Sequence, residues 1–191
     1  MKSDLILSNI CQYISLSPVE KEYFLNLLEE ENLSKKEFLL SQGESCNHIY
    51  FVNSGILRAF HINQDGKDAT VMFAVKDWWI TDMYCFLNVL PSMVNIQVVA
   101  PCSVLKLSKN NLDKLYDEIP MFNKFFRILM QNAYCREQLR TIQNLSLPAL
   151  ERYEQFIKKY PHIANAVALK QIASYLGITP EFLSAIRAKK D

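Results

Sequence analysis

The stretch that most constrains the fold is residues 33–108, where short β-rich segments follow one another with no helical pattern between them. These segments are rich in Val, Ile, Phe and Tyr, and they read HIYFVNSG, ILRAFHIN, DATVMFAV, NIQVVA and SVLKLS. The turn signals between them are Gln42-Gly43, Ser54-Gly55, Asp65-Gly66, Pro91 and Pro101. Asp-Gly between two such runs is typical of a hairpin, and many short strands in succession indicate an antiparallel barrel or sandwich. We therefore predict a barrel over residues 33–108.

Helical patterns flank this barrel. Before it, SPVEKEYFLNLLEEE has Ser17 at an N-cap, Pro18 at the first helical position and Glu20 three residues after the cap, which is a capping box. We expect this helix to run through the glutamates and strands to begin after Asn32. After the barrel, NNLDKLYDEI predicts a short helix that ends near Pro120.

A long helix is predicted from Met121 to Leu145, a run without proline or glycine. At about 1.5 Å per residue it would be roughly 40 Å long, which exceeds what covering the barrel requires. The helix could lie across the barrel as a core helix, or it could pair with its twin in a homodimer. Both hold if the Phe-rich first half packs on the barrel and the second half on the partner. The predicted dimer-helix positions are Phe126, Leu129, Ala133, Leu139 and Ile142.

The last twenty residues, IASYLGITPEFLSAIRAKKD, contain two short amphipathic segments that meet at a glycine. Gly177 suits the left-handed end of a first helix, and Thr179 with Pro180 suits the start of a second. We expect Phe182, Leu183 and Ile186 to face inward. Two helices joined by a three-residue turn that contains glycine are typical of a helix-turn-helix.

The outward face of the second helix is the predicted DNA-binding surface, because helix-turn-helix proteins place that face in the major groove. The predicted DNA-binding residues are Thr179, Pro180, Glu181, Ser184, Ala185, Arg187, Lys189 and Lys190. Arg187 and the two lysines are expected to contact phosphates, and Thr179, Glu181 and Ser184 to contact base edges. The alternative is a plain pair of packed helices.

Composition agrees with this interpretation and excludes others. The net charge is +1, but residues 151–191 hold seven basic and four acidic side chains, so a mildly basic tail follows a mildly acidic body. No apolar run approaches the ~20 residues of a membrane span, and the N-terminus does not resemble a secretory signal, so we expect a cytoplasmic protein without a membrane partner.

The histidines and cysteines favour neither an enzyme nor a metal protein. A metal-dependent cupin would need several histidines and a carboxylate, but only three histidines occur, with no His-x-His pair, and haem ligation by His48 or His61 has no better support. The five cysteines are widely spaced without a Cys-x-x-Cys pair, so we expect reduced thiols, and one of them could be redox-sensing. No catalytic residues, metal site or cofactor are predicted.

The order of barrel, long helix and helix-turn-helix resembles the Crp/Fnr superfamily of bacterial transcription regulators over nearly the whole chain. FLLSQGESCNHIYFVNSGILRAFHINQDGKDATVMFAVKDWWI resembles their cyclic-nucleotide-binding-like domain, with glycines at Gly43, Gly55 and Gly66. ERYEQFIKKYP with LKQIASYLGITPEFLSAIRAKK resembles a compact subgroup common in Bacteroidetes-type bacteria.

This resemblance implies an α+β fold: an N-terminal antiparallel β-barrel of the jelly-roll type, a long dimerisation helix and a C-terminal all-α helix-turn-helix. The implied domains are an effector domain at residues 1–120, a connecting helix at 121–146 and a DNA-binding domain at 147–191 that lacks the wing hairpin of many relatives. The implied partners are a palindromic double-stranded DNA operator, a second copy of the chain, RNA polymerase and an unknown small-molecule effector. A signalling module whose terminal helices bind a protein instead of DNA is the alternative.

The resemblance also places an effector pocket, with one departure. Members that bind cyclic nucleotides hold the ribose and cyclic phosphate with a Gly-Glu-Leu segment and a following Arg-Ser or Arg-Thr pair. The matching positions here are Thr81, Asp82 and Met83, followed by Val94 and Asn95, so the arginine is missing. We expect no response to cyclic AMP unless Arg58 or Arg136 supplies the cation. The space is then either a core filled by Phe60, Met72, Phe73 and Met83 or a site for a more apolar effector.

Overall fold

The computed structural model describes residues 4–188 and has the predicted α+β architecture. The helices are α1 (Asp4–Cys11), α2 (Pro18–Asn26), α3 (Met83–Asn88), α4 (Lys109–Glu118), α5 (Met121–Ser146), α6 (Ala149–Lys159), α7 (Pro161–Ala166), α8 (Leu169–Leu176) and α9 (Pro180–Ala188). The strands are β1 (Leu28–Leu33), β2 (Phe38–Leu40), β3 (His48–Ile62), β4 (Asp68–Val75), β5 (Trp79–Ile80) and β6 (Asn95–Ser108). None of the helices in this part of the chain combines the length and hydrophobicity that a transmembrane segment requires.

The strands form one antiparallel sheet in which β6 and β3 are the central pair. The strand order is β1-β6-β3-β4, with β2 also paired to β6 and β5 also paired to β3. The predicted Asp65-Gly66 hairpin joins β3 to β4, and Gly66 has a positive φ of 74°. Because β3 and β6 each pair with several strands along their length, the sheet bends around a single apolar interior.

Two predicted turns lie inside strands. Ser54-Gly55 is within the 15-residue β3, and Pro101 is within the 14-residue β6, so four predicted strands are in fact two. The register between β3 and β6 shifts on both sides of Ser54, which marks bulges. A bulge bends a strand and increases its twist without ending it. Glycine and proline here mark the bends at which the barrel curves.

The first predicted helix is shorter than expected. The capping box is present, because Ser17 N donates to a Glu20 carboxylate oxygen at 2.7 Å and Glu20 N donates to Ser17 Oγ at 3.3 Å. The helix nevertheless ends at Asn26, and residues 28–33 form β1. In β1, Glu29 lies opposite Lys106 of β6, and the Lys106 ammonium is 3.3 Å from Glu29 and 3.1 Å from Glu31. Charge pairing with a distant strand therefore favours a strand for these glutamates.

The predicted helices after the barrel are present. α5 has 26 residues and matches the predicted long helix, and α4 matches the predicted short one. Helices α1, α3 and α7 are additional, and the sequence analysis did not predict them.

Two apolar cores organise the chain. The larger one fills the barrel and includes the first turns of α5, where Phe122 and Phe125 are fully buried. The second joins helices α6 to α9 to the outer face of the sheet through Ile56, Phe73 and Val99. The C-terminal helices are therefore packed directly on the barrel.

Gly55 is the position where the β3–β6 bulge tolerates no side chain. Its φ is 88°, and an added Cβ would overlap the Pro101 carbonyl oxygen and lie 2.5 Å from the Cys102 Cβ. We expect Gly55→Ala to lower the free energy of unfolding by about 3 kcal/mol or more, because the backbone clash adds to the roughly 1–2 kcal/mol cost of a left-handed alanine. Urea denaturation of the purified protein measures this loss.

Gly66→Ala is the matched control, since Gly66 has a similar φ of 74° but open space around its Cβ position. It should show only the conformational cost of about 1–2 kcal/mol. If Gly55→Ala and Gly66→Ala lowered the free energy of unfolding equally, the close approach of β6 to β3 would not restrict residue 55.

Candidate DNA-binding and effector sites

The predicted turn between α8 and α9 is confirmed. Gly177 is left-handed, with φ 66° and ψ 35°, and its N–H donates to the last carbonyls of α8. Ile178 N donates to Ala173 O at 3.0 Å. These bonds satisfy carbonyl groups that a helix end leaves free, and they turn the chain sharply into α9.

The two helices pack through the predicted small and apolar side chains. Ala173 and Leu183 are fully buried, and Leu176 and Ile186 are also buried. A residue without a bulky side chain at 173 lets the helices approach closely. Of the three residues expected to face inward, Leu183 and Ile186 do so.

Phe182 is an exception, because it is 52% exposed instead of buried. Consecutive residues on a helix point about 100° apart, so Phe182 and Leu183 cannot both face the same core. Leu183 occupies the inward position, and Phe182 lies on the exposed side of α9.

The outward face of α9 carries most of the predicted DNA-binding side chains. Thr179, Pro180, Glu181, Ser184, Ala185 and Arg187 are all exposed, whereas Lys189 and Lys190 lie outside the described residues. Thr179 Oγ1 accepts a hydrogen bond from Phe182 N at 3.1 Å, so it caps the helix as predicted. The Ser184 hydroxyl donates to Pro180 O at 2.9 Å. Both hydroxyl groups are engaged locally while remaining open to solvent.

Arg152 of α6 holds the end of α8, a role that the sequence did not indicate. Its Nη1 donates to the carbonyl oxygen of Leu176 and, at 3.1 Å, to Asn144 Oδ1 of α5. One side chain thus joins three helices next to the turn. A basic residue in an amphipathic helix gives no sequence signal for such a contact.

A cavity of about 290 Å³ lies between the barrel and α5 and is the best candidate for an effector site. Its walls are largely apolar, and they include Ile49, Met72, Trp78, Trp79, Ile80, Met83, Leu129, Met130 and Ala133. Cavities of this size and character are typical of small-molecule sites. Among the predicted pocket residues, Thr81 and Met83 line it, whereas Asp82, Val94 and Asn95 do not.

Asp82 instead joins the two predicted pocket segments. One carboxylate oxygen caps α3 by accepting from Cys85 N at 3.2 Å, and the other accepts from Met93 N at 2.8 Å and Ser92 Oγ at 3.3 Å. The aligned segments are thus neighbours, as the resemblance implied, but a carboxylate holds them together. Asn95 Oδ1 accepts from Gln42 N at 3.0 Å, and its buried Nδ2 has no partner among the described residues.

Of the two arginines considered as a substitute cation, Arg136 lines the effector cavity and Arg58 does not. Arg58 is only 2% exposed and makes two hydrogen bonds to the Asp68 carboxylate, at 2.8 and 3.1 Å. Arg136 lies over the Trp78 ring, with its guanidinium carbon 5.0 Å from the ring centroid.

The proposed filling of the pocket is also wrong for Phe73. Its ring centroid is 5.6 Å from that of Tyr175 and 6.4 Å from that of Phe156, so it packs against the C-terminal helices on the outer face of the sheet. Phe60 stacks under the Arg58 guanidinium at 4.4 Å. Met72 and Met83 line the cavity, so they narrow the space without closing it.

The predicted dimer-helix residues divide into two groups. Phe126 is buried in the barrel core against Trp79 and Tyr116, so it is not available to a partner. Leu129 and Ala133 are half-buried at the cavity, and Leu139 and Ile142 are exposed by 49% and 53%. The exposed apolar residues therefore lie in the second half of α5.

The thiols and the metal-binding side chains add no chemical site. Cys46, Cys85 and Cys102 are buried, and burial raises the pKa of each thiol, that of Cys102 to about 11, so they are protonated and unreactive at neutral pH. Cys11 and Cys135 are exposed. The residues that the structure describes contain no group of three or more His, Cys, Asp or Glu able to hold a metal ion.

The fold and these two sites define a class: a β-barrel with an apolar cavity, joined by a long helix to a helix-turn-helix. Comparison with known proteins identifies the class by family. Residues 30–118 match the cyclic nucleotide-binding domain family. The c-di-GMP responsive global regulator CLP of Xanthomonas campestris has a similar structure, with a TM-score of 0.74 and 13% identity over 91% of each chain.

Curated relatives extend the similarity over the whole chain. The anaerobic regulatory protein of Haemophilus influenzae is 23% identical and covers 96% of this chain and 75% of its own length. The transcriptional activator protein Anr of Pseudomonas aeruginosa is 22% identical, with 96% and 79% covered. Over nearly its whole length, the chain is therefore similar to proteins named as an anaerobic regulatory protein and a transcriptional activator.

Proposed function

We propose that the chain is a dimeric DNA-binding transcription regulator whose barrel senses a small molecule other than cyclic AMP. The observation that carries this proposal is the geometry of α8 and α9: a buried inner face, a left-handed glycine turn and an exposed second helix. The similar proteins are named as a regulatory protein and a transcriptional activator, which supports the proposal. The proposed domains are the predicted ones, residues 1–120, 121–146 and 147–191.

The exposed face of α9 is proposed to enter the major groove. Thr179, Glu181 and Ser184 lie toward the N-terminal end, which faces base edges in helix-turn-helix complexes. Arg187 lies in the last turn, where its charge suits a phosphate. Exposed Phe182 adds an apolar contact of the kind that recognises a thymine methyl group.

Arg187→Ala should weaken binding to all DNA sequences alike. It should also reduce the slope of log affinity against log salt concentration by about one unit, because one phosphate contact is lost. Ser184→Arg should instead change which sequence is preferred. Fluorescence anisotropy with operator and random duplexes at several salt concentrations measures both effects. Lys114→Ala removes the same charge from an exposed residue of α4, so it is the control and should leave the affinity for DNA unchanged.

Unchanged affinity in Arg187→Ala would contradict the proposed docking. Absence of any salt-dependent DNA binding by the wild type would favour the alternative, in which the terminal helices bind a protein.

The proposed dimer forms along the free side of α5. Residues Ile128, Cys135 and Ile142 are seven positions apart, and so are Gln131, Gln138 and Leu145. Positions alternating by three and four on one side are typical of a two-stranded coiled coil. Cys135, Ile142 and Leu145 are exposed, the last by 85%, because the opposite side of α5 packs on the barrel and α6.

In a parallel dimer of this kind, Cys135 faces its twin across the twofold axis. We expect mild oxidation to link two chains through this cysteine, since the paired Cα atoms would lie within the roughly 4.4–6.8 Å that a disulfide requires. Non-reducing electrophoresis detects the product. Cys135→Ser should abolish it, whereas Cys11→Ser, which removes the other exposed cysteine, should not.

A wild type that stays monomeric in light scattering and does not cross-link would exclude this interface. A cross-link lost in Cys11→Ser but kept in Cys135→Ser would place the contact elsewhere.

The barrel is proposed not to respond to cyclic AMP, because the aligned positions Val94 and Asn95 supply no cation and Arg136, which lines the cavity, lies over the Trp78 ring. Burying a phosphate requires a positive charge or several aligned N–H donors. Met93 N, Cys85 N and the Ser92 hydroxyl already donate to Asp82, and that carboxylate would repel the ligand. The buried donor Asn95 Nδ2 is neutral. The apolar cavity with its two tryptophans suits a less polar effector.

Calorimetric titration with cyclic AMP and cyclic GMP should show no binding at micromolar concentration. The lost charge-assisted hydrogen bond alone is worth about 1.5–3 kcal/mol, or roughly ten- to hundredfold in affinity. Adenosine, which lacks the phosphate, is the control for weak binding through the base alone. A micromolar dissociation constant for either cyclic nucleotide would refute the expectation.

The remaining proposals concern the surroundings of the protein. A palindromic operator follows from a twofold dimer, with half-sites about 34 Å apart. RNA polymerase is the expected further partner, and the cytoplasm the expected location, because a regulator of this kind acts at promoters.

A further inference from the structure

A second cavity, the hinge pocket, lies where the long helix meets the DNA-binding helices. It is formed by the second half of α5 and by α6, with α8 beneath them, and it has a volume of about 180 Å³. At the far end, Gln143 Nε2 donates to Gln155 Oε1 at 2.8 Å and ties the two helices together. The hinge pocket touches no strand, and it shares one wall residue, Arg136, with the effector cavity.

Four cationic side chains surround the hinge pocket: Arg136, Arg140, Arg152 and Lys159. No carboxylate is part of its wall. Glu137 lies nearby and accepts from Arg140 Nε at 2.9 Å, but no ion pair among the described residues involves Arg152 or Lys159. Positive charges held close together repel one another, and a concave site of one sign attracts counter-ions.

Arg152 shows that this charge is incompletely balanced. Its Nη1 donates only to neutral oxygens, those of Leu176 and Asn144. Its Nε is buried and has no hydrogen-bond partner among the described residues. A buried charged donor without an acceptor is costly, and an oxyanion in the pocket would satisfy it.

The floor of the hinge pocket is aromatic. Phe156, Tyr160 and Tyr175 contribute to it, and the Arg140 guanidinium lies 5.2 Å from the Tyr175 ring centroid. Burial raises the pKa of Tyr175 to about 12, so its hydroxyl keeps its proton and stays a donor. Aromatic rings and cationic side chains in the same wall suit a ligand that has a carbon skeleton and charged ends.

We propose that the hinge pocket binds a small organic anion that carries at least two phosphate or carboxylate charges. Arginine forks bind either group with two parallel hydrogen bonds. The anion would join α5 to α6 through Arg140 and Arg152 and so fix the DNA-binding helices against the long helix. This site is additional to the effector cavity, although Arg136 lines both.

Calorimetry and thermal unfolding of the full chain test the proposal, with inorganic pyrophosphate and citrate as probes at constant ionic strength. At least one probe should bind saturably, once per chain, and raise the melting temperature, because a ligand of the native state stabilises it. Binding of pyrophosphate alone identifies a phosphate ligand, and binding of citrate alone a carboxylate; each supports the proposal.

Lys159→Gln and Arg140→Gln should each weaken that binding by about three- to tenfold, since each removes one charge from the pocket. Lys158→Gln is the matched control: the same charge change on the same helix at an exposed residue outside the pocket. Arg187→Ala should bind the probes normally, so a failure of the DNA-binding proposal leaves this result intact.

No saturable binding of either probe would overturn the proposal, as would an equal loss in Lys158→Gln and Lys159→Gln. A third contrary result is also distinguishable. If Lys159→Gln weakened DNA binding without an anion, flattened its salt dependence and left probe binding unchanged, the groove would instead be a surface for DNA phosphates.

Discussion

The contact between β4 and α8 fixes where the C-terminal helices lie on the barrel. Thr70 N donates to Ser174 Oγ at 2.8 Å, and the Ser174 hydroxyl donates to Asp68 O at 2.9 Å. Arg58 holds this end of β4 from the neighbouring strand by bonds to the Asp68 carboxylate and to Thr70 Oγ1. Hydrogen bonding to Arg58 lowers the pKa of Asp68, so the pair is charged at neutral pH. A buried charge that would otherwise be costly thus fixes the strand on which α8 rests.

The alternation of side chains along β4 brings this contact close to the effector cavity. Met72 lines the cavity, and the next residue, Phe73, packs on Phe156 of α6 and Tyr175 of α8. Successive strand residues point to opposite faces, so one strand borders both sites. Trp78 is a second link, because it lines the cavity and lies edge-on to Tyr160, with ring centroids 5.8 Å apart. The wall of the cavity therefore includes groups next to, or in contact with, the C-terminal helices.

The sequence predicted best the features whose determinants are local. The helix-turn-helix depends on residues within a few positions of Gly177, so its turn and its buried residues followed from their spacing. The strands around Gly55 and Pro101 were misread because glycine and proline mark a bulge as readily as a turn. Residues 28–33 were misassigned because their partner Lys106 is distant in sequence. The length and neighbours of a strand are decided by pairing, which a single sequence does not display.

The candidate effector site was predicted less well, for the same physical reason. Family resemblance placed Asp82 at a ligand, yet its carboxylate caps α3 and holds residues 92 and 93. The apolar cavity is assembled from α1, β3, β4, β5 and α5, which come together only in the folded chain.

The free energy of the contact between the barrel and the C-terminal helices sets the differential binding energy that an effector would need. The bonds of Ser174 join neutral groups, and such a bond contributes about 0.5–1.5 kcal/mol. An aromatic pair such as Phe73 with Tyr175 adds about 0.5–1.5 kcal/mol beyond the area that it buries. Reversing a two-state equilibrium from 1:99 to 99:1 requires about 5.5 kcal/mol of differential binding. The hydrogen bonds and the aromatic pair at this interface together contribute a free energy of a few kcal/mol, which is of the same order. They therefore define one orientation of the C-terminal helices, and the differential binding of one ligand would be enough to shift it.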